Sequence, residues 1–190
     1  NNLRKLKRAL GILLVVSMTI GLFPTPVFAA GSDIEGHWAR EALQEFASAG
    51  YLHADDKGGY SPNAPMTRAQ FAAVLNRILG LTEESANISL YTDVPADAWY
   101  REDLAKALAA GYLNGTSPTT MSPSTPIIRE QVFVILARLS NADDSDLSAL
   151  GAFSDADDVG KYARAAAAAM VRAGYLSGDD AGRLLPKKSI

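Results

Sequence analysis

A repeat of about sixty residues runs through most of the 190-residue chain and restricts its fold more than any other feature. Each copy has an aromatic residue followed twelve positions later by a Gly-Tyr-Leu triplet. The aromatic residues are Trp38, Trp99 and Tyr162, and the glycines are Gly50, Gly111 and Gly174. Self-similarity at a fixed period is typical of a fold built from stacked copies of one small unit.

Two further markers keep the same spacing. Twelve residues after each glycine stands a proline, and six residues later the first two copies have an arginine. These are Pro62, Pro123 and Pro186, with Arg68 and Arg129. The third arginine would fall two residues beyond Ile190, so we expect the third copy to be incomplete.

Each copy predicts a helix, a loop and a second helix. Apolar residues recur at helical spacing before each glycine, which is the residue that most often ends a helix in the left-handed conformation. A loop rich in Gly, Pro, Ser and Asp follows. The second helix is predicted to begin after Thr67, with Gln70 completing a capping box. Because two short helices cannot bury both of their apolar faces alone, we predict an all-α fold whose tandem repeats pack on one another.

The first thirty residues differ from the rest. A basic start is followed by about 15 apolar residues and then by small residues near Ala29 and Ala30, the pattern of a secretory signal peptide. The alternative, a membrane anchor, needs roughly 20 apolar residues. We therefore predict a signal peptide at 1–30, repeats at 31–81, 91–140 and 152–190, linkers at 82–90 and 141–151, and no membrane insertion after signal cleavage.

Charge and residue types exclude several classes of function. Beyond residue 30 the chain has 14 basic and 21 acidic residues, so a nucleic acid or an anionic membrane surface is disfavoured as the main partner. Cysteine is absent, and the two histidines, His37 and His53, do not recur between copies. No catalytic constellation, metal site or cofactor site is predicted. The acidic linkers leave calcium loops as an alternative, although they lack the alternating ligands of an EF-hand.

The repeated arginines are the strongest candidates for a binding site. At the first position of a helix, the partial charge of the helix end disfavours a cation. One interpretation is that Arg68 and Arg129 neutralise an anion that is also held by free backbone N–H groups at the helix start. The alternative is a salt bridge to an acidic residue of the first helix or of the turn before it, such as Asp33 or Asp93.

The aromatic and acidic markers allow two interpretations each. Trp38 and Trp99 are core residues, a platform for the apolar face of a sugar, for which the indole N–H adds a donor, or both at once. Asp33 and Asp93 are either turn or capping residues, or ligands of a sugar hydroxyl or of the arginines. Tyr162, at the equivalent position of the third copy, retains part of the tryptophan's capacity to contact a sugar.

Together these motifs resemble the S-layer homology domain, which normally occurs in threes. The resemblance is carried by Met66-Thr67-Arg68-Ala69-Gln70, by Asp93-Val94 with Trp99-Tyr100, and by Gly111-Tyr112-Leu113-Asn114-Gly115 with Ser122-Pro123 and Arg129-Glu130. It covers nearly all of residues 32–190.

This resemblance implies a pseudo-threefold bundle that attaches an exported bacterial protein to the cell wall without a covalent bond. The partner it implies is a wall polysaccharide attached to peptidoglycan and carrying pyruvate ketals, bound in grooves between repeats. The implied contact residues are Arg68, Arg129, Trp38 and Trp99 with the loop glycines Gly115 and Gly178, and we add Asp33 and Asp93. Departures from the pattern are Ile128 in place of the capping threonine, Ala54 and Thr119 in place of loop glycines, and Tyr162 in place of tryptophan.

The resemblance leaves three interpretations of the protein open. The chain is either an anchor alone, the anchor of a secreted hydrolase, or a peptidoglycan-contacting module of an outer-membrane protein. Self-association of the repeats in a surface layer is a further alternative.

Overall fold

The computed structural model describes residues 33–55, 57–142 and 145–190. These form two compact units, one described over 33–55 and 57–64 and the other over 65–142 and 145–190. The predicted signal peptide lies outside the described residues, as do Asp143 and Asp144 of the second predicted linker. None of the helices within these ranges is long and apolar enough to serve as a membrane span.

The smaller unit contains one helix, α1, Arg40–Ser48. Trp38 lies in the turn before it, and Gly50 ends it with φ +74° while donating its N–H to Ala47 O at 3.0 Å. No residue of α1 is fully buried.

The larger unit contains four α-helices joined by loops and short 3₁₀ segments. The helices are α2 (Arg68–Leu79), α3 (Arg101–Ala109), α4 (Arg129–Ser140) and α5 (Arg164–Arg172). The 3₁₀ segments are Ala86–Leu90, Leu147–Ala152, Ala156–Asp158 and Lys161–Ala163. Over the described ranges the chain forms isolated β-bridges but no strand, which confirms the predicted all-α fold.

The predicted helix boundaries are confirmed at both ends. Thr67 accepts a hydrogen bond from Gln70 N while Gln70 Oε1 accepts one from Thr67 N, so the capping box is complete. Gly111 and Gly174 follow α3 and α5 with φ +73° each. At the start of α4, Ile128 provides no side-chain cap, as expected, but its carbonyl accepts from Gln131 N at 3.0 Å. The backbone N–H groups at the start of α4 therefore have more hydrogen-bond partners than the replacement of threonine by Ile128 suggested.

The second helix of one copy packs on the first helix of the next copy. Helix α2 packs on α3, and α4 packs on α5. Between α2 and α3 the core includes Leu75, Leu104 and the buried Tyr112, whose hydroxyl donates to Asn76 Oδ1 at 2.7 Å. For α2–α5 this confirms that the apolar helix faces are buried between copies.

Three residues at equivalent positions of the repeat close a ring of backbone hydrogen bonds. Ile127 N donates to Met66 O at 2.9 Å, Met66 N donates to Ile190 O at 2.8 Å, and Ile190 N donates to Ile127 O at 3.1 Å. Each residue donates to one neighbour and accepts from the other. At these positions the three copies are therefore related by an approximate threefold arrangement.

Candidate functional site

Two grooves lie at successive boundaries between copies in the larger unit. Groove A encloses about 360 Å³ and groove B about 340 Å³, which is the lower range for sites that bind small molecules or sugar units. Groove A is lined by Arg68, Leu113, Asn114, Gly115, Thr116, Gln131, Val134, Ile135, Arg138 and Tyr162. Groove B is lined by Arg129, Tyr175, Leu176, Ser177, Gly178, Asp179, Arg183 and Leu185.

The loops that form these grooves are held by the repeated aspartates. Both carboxylate oxygens of Asp93 accept backbone N–H groups, from Met121 at 2.9 Å and Ser122 at 2.7 Å. Asp155 binds the equivalent N–H groups, those of Leu184 and Leu185, at 2.8 Å each. Ser122 and Leu185 have φ of +53° and +51°, a left-handed conformation that costs roughly 1 kcal/mol or more in a residue other than glycine. The aspartates stabilise this turn.

The smaller unit contains the same turn. The carboxylate of Asp33 accepts from Tyr60 N at 2.9 Å and from Ser61 N at 2.6 Å, and Ser61 has φ +48°. All three copies therefore use the aspartate to hold the loop, as the turn-forming interpretation predicted. A contact of Asp33 or Asp93 with a sugar stays a prediction.

The loop glycines are required by close packing. A Cβ atom on Gly115 would lie 2.5 Å from Ser117 O, 2.6 Å from Tyr91 Cε1 and 2.7 Å from Thr120 O. On Gly178 it would lie 2.9 Å from Phe153 Cε1 and 3.2 Å from the backbone N of Arg183. Both glycines line their grooves, so the implied role in binding stays a prediction beside this steric role.

Arg68 combines burial with unused hydrogen-bond donors. Its side chain crosses from α2 to the next copy, where Nε donates to Met121 O and Nη2 to Asn114 O, both at 2.9 Å. The residue is only 4% exposed. Burial lowers the pKa of the guanidinium and the nearby Tyr162 and Asp93 raise it, but arginine stays charged at any physiological pH. Among the described residues Nη1 has no acceptor.

The helix start itself does not offer the N–H groups that the sequence suggested. Arg68 N donates to Thr125 O and Ala69 N to Pro123 O, both at 3.0 Å, and Gln70 N donates to Thr67. In α4 the carbonyls of Lys188 and Pro186 accept from the equivalent first two N–H groups. The expectation of free backbone N–H groups is wrong, because the loop of the next copy supplies carbonyls to them. An anion at these sites would have to bind side chains.

The alternative of an ion pair with Asp93 is not formed either. Asp93 lies near enough to Arg68 to raise its pKa, yet its oxygens bind backbone N–H groups and the guanidinium binds backbone carbonyls. Arg68 is therefore a positive charge that has no carboxylate in hydrogen-bond contact among the residues that the structure describes.

Arg129 occupies the equivalent position in groove B with a different set of contacts. Its Nε donates to Leu184 O at 2.8 Å, and its guanidinium carbon lies 5.7 Å from the centre of the Phe133 ring. The groove also contains Arg183, which is bound to Asp179 through two hydrogen bonds. Groove B is thus closer to charge balance than groove A.

The aromatic residues at the start of each first helix are exposed rather than buried. Trp38 is 91% exposed, Trp99 62% and Tyr162 60%, which excludes the core interpretation of the two tryptophans. Tyr162 lines groove A, whereas Trp99 packs edge-on against Tyr100 and lines neither groove. A sugar platform at Trp38 and Trp99 stays a prediction, now with exposed rings to support it.

The sequence reasoning missed Arg138 as a groove residue. It is exposed, lines groove A and donates to Tyr112 O at 3.2 Å. The repeat could have indicated this residue. Arg77 stands nine residues after Arg68, and Arg138 stands nine residues after Arg129. Groove A therefore has two guanidinium groups.

The structure thus groups only part of the predicted set. Arg68, Gly115 and Tyr162 meet in groove A, and Arg129 and Gly178 meet in groove B. Asp93 lies behind the loop, bound to its backbone.

Comparison with known proteins finds matches over each of the three copies. The family model of the S-layer homology domain matches residues 32–72, 90–133 and 152–190. The chain is 30% identical over 145 residues, 76% of its length, to a surface-layer 125 kDa protein of Lysinibacillus sphaericus. It is 26% identical over 160 residues, 82% of its length, to Exoglucanase XynX of Acetivibrio thermocellus, and 32% identical over 76 residues, 40% of its length, to a cellulosome-anchoring protein of the same species.

These matches cover a small part of each relative. The matched region is 12% of the surface-layer protein, 14% of the exoglucanase and 17% of the cellulosome-anchoring protein. The chain therefore corresponds to one module that occurs in proteins with different names.

Proposed function

The chain belongs to the S-layer homology domain family, and from that premise we propose that its grooves bind an anionic wall polysaccharide through the side chains of Arg68, Arg129 and Arg138. Membership carries a role in anchoring an exported protein at the bacterial cell wall or cell surface. The finer proposal is that the polymer bears pyruvate ketals and that the acidic group of the ketal binds in the groove.

One observation carries the proposal. Arg68 is almost completely buried and lines groove A, yet among the described residues its Nη1 has no acceptor and no carboxylate contacts it directly. A charged group with unused donors is costly unless a ligand or water completes its hydrogen bonds. A carboxylate with two coplanar oxygens matches the geometry of a guanidinium.

The rest of groove A fits a sugar unit. The ring of Tyr162 offers an apolar face, Gln131 offers an amide, and Arg138 supplies the second cation. An acidic protein can therefore bind an acidic polymer, because the attraction is local and the general repulsion is screened beyond about 10 Å at ordinary salt.

Co-sedimentation with purified sacculi tests the proposal. Sacculi of Lysinibacillus sphaericus, the source of the surface-layer relative, are a suitable probe. We expect the wild-type chain to pellet with them and the Arg68→Ala/Arg129→Ala variant to remain in solution. Mild acid treatment, which removes ketals from the sacculi, should also abolish pelleting of the wild type.

Two controls separate binding from folding. Arg138→Ala removes only one 3.2 Å contact from an exposed side chain, so it should weaken pelleting without changing the fold. Arg101→Ala removes an arginine that donates to Val94 O at 2.8 Å outside both grooves, and it should pellet normally. Undiminished pelleting of the Arg138 and double variants would refute the assignment, and equal pelleting with acid-treated sacculi would refute the ketal.

A further inference from the structure

A buried carboxylate lies beside groove A and is not part of its lining. Glu130, in the first turn of α4, is 2% exposed. Its Oε2 accepts from Gly160 N at 2.9 Å, and its Oε1 accepts from Tyr162 Oη at 2.8 Å and from Lys187 Nζ at 2.6 Å. Burial acts to raise the pKa of Glu130, but these three hydrogen bonds outweigh it and leave the pKa below the usual value, so the carboxylate is charged.

This cluster is specific to the boundary between the second and third copies. The residues at the equivalent positions of the preceding boundary are Ala69, Asp97, Trp99 and Ser124, in place of Glu130, Gly160, Tyr162 and Lys187. A Cβ atom on Gly160 would lie 2.8 Å from Tyr162 Cε1 and 3.3 Å from Glu130 Oε1. A side chain at position 160 would therefore disturb the contact between Tyr162 and Glu130. The four residues of this cluster thus depend on one another and differ together from their counterparts at the preceding boundary.

The glutamate determines what the tyrosine presents to groove A. Because the phenol donates its proton to Glu130, the lone pairs of its oxygen are left as acceptors. A tryptophan at this position would offer only a donor. Burial raises the pKa of Tyr162 and the hydrogen bond to Glu130 raises it further, so the phenol stays protonated at neutral pH. Beside it, Arg68 and Arg138 supply donors.

We propose that Glu130 is a positioning residue that fixes Tyr162 in the wall of groove A, so that this groove selects an acidic sugar with a hydroxyl donor next to its anionic group. This inference rests on the proposed function, since it assigns the specificity of the same groove. The acidic group of the sugar binds the guanidinium donors, and its neighbouring hydroxyl donates to the phenol oxygen.

Calorimetric titration of the chain with wall polysaccharide released from Lysinibacillus sphaericus sacculi tests this assignment. We expect Glu130→Ala and Tyr162→Phe each to weaken binding about fivefold, the effect of one lost hydrogen bond of ordinary strength. The Glu130→Ala/Tyr162→Phe variant should be no weaker than either single variant, because both changes break the same contact. Glu130→Ala/Tyr162→Trp, which reproduces the Ala69 and Trp99 pair, should remain as weak as the single variants, because the indole N–H can only donate.

Two control variants show whether loss of a carboxylate or of a phenol hydroxyl elsewhere in the fold weakens binding. Glu102→Ala removes a carboxylate paired with a lysine at 2.6 Å away from the grooves, and Tyr100→Phe removes a phenol hydroxyl that lines neither groove. Both should bind as the wild type does. If Glu130→Ala fails to fold, Tyr162→Phe keeps the ring and leaves the test in place.

The outcomes separate this inference from the proposed function. Additive losses in the double variant, or full affinity of both single variants, would overturn the role of Glu130 while Arg138→Ala still weakens binding. If Arg138→Ala and Arg68→Ala also bind normally, or if the wild type does not bind the polymer, the proposed function fails and the inference fails with it.

Discussion

Groove A and groove B are built from equivalent parts of the repeat, yet they hold their arginines differently. Arg68 is buried and donates to two backbone carbonyls, whereas Arg129 is half-buried, donates to one carbonyl and lies against the Phe133 ring. In groove B, Asp179 also neutralises Arg183. The same residue at the same repeat position therefore has a larger structural role in groove A, and groove A retains the larger unneutralised charge.

This comparison shows why a repeated arginine does not have a single role. Its stem and Nε join the second helix of one copy to the loop of the next, which stabilises the boundary between copies. Its remaining donors are available to a ligand only where the groove leaves them unbound. Substitution of one arginine affects both roles at once. Comparing equivalent positions of the two grooves separates them.

Removing the arginines should give the largest difference. Arg68→Ala leaves two carbonyls without their donor and should lower the free energy of unfolding by about 3 kcal/mol, whereas Arg129→Ala leaves one and should lower it by about 1.5 kcal/mol. Urea denaturation followed by circular dichroism measures both. Equal losses would show that the second carbonyl contact of Arg68 contributes nothing.

Adding one methyl group to the loop glycines should give a smaller difference. In Gly115→Ala the Cβ atom meets two backbone carbonyls and a ring, so we expect a loss of about 2 kcal/mol from overpacking. In Gly178→Ala the nearest atoms belong to the Phe153 side chain, which can move, so the loss should be about 1 kcal/mol. Thermal unfolding of the two variants checks this, and a larger loss at Gly178 would mean that the groove B loop is the more rigid one.

Acid should act on groove A through Glu130, with the smallest effect. Because hydrogen bonds hold the pKa of this carboxyl below its ordinary value of 4.5, its contribution to stability is present above that value and is lost as the pH falls through the lower pKa of the folded state. The stability gap between wild type and Glu130→Gln, less than about 1 kcal/mol for a pair whose lysine is exposed, should therefore shrink between about pH 5 and about pH 3. A gap that widens toward acid pH would contradict this sign.

The repeat made most of the local structure predictable. Gly50, Gly111 and Gly174 end helices as expected, and Thr67 and Gln70 form the predicted capping box, because each of these depends on the chemistry of a few neighbouring residues. The copy-on-copy packing was also predictable, since short amphipathic helices must bury their apolar faces.

The contacts of the candidate site were less predictable. The sequence marked Arg68 and Arg129 as unusual at a helix start, but the N–H groups expected to be free there are bound by the loop of the next copy. The repeated aspartates bind backbone N–H groups of the loop about 28 residues away, as in the pair Asp93 and Met121. Arg138 reaches a groove that only the packing of α4 creates. Such contacts depend on how neighbouring copies pack on each other, and the spacing of residues within one copy does not reveal that packing.

The sequence by itself determined the number and spacing of the repeats, the type of each element and the family, because periodicity, helix caps and turn residues act over short stretches of chain. Only the tertiary structure decided which donors of each arginine are used within the protein, which aromatic rings are exposed and how Glu130 holds Tyr162. These features arise at boundaries between copies, where residues from distant parts of the chain meet and must satisfy one another's charges and hydrogen bonds.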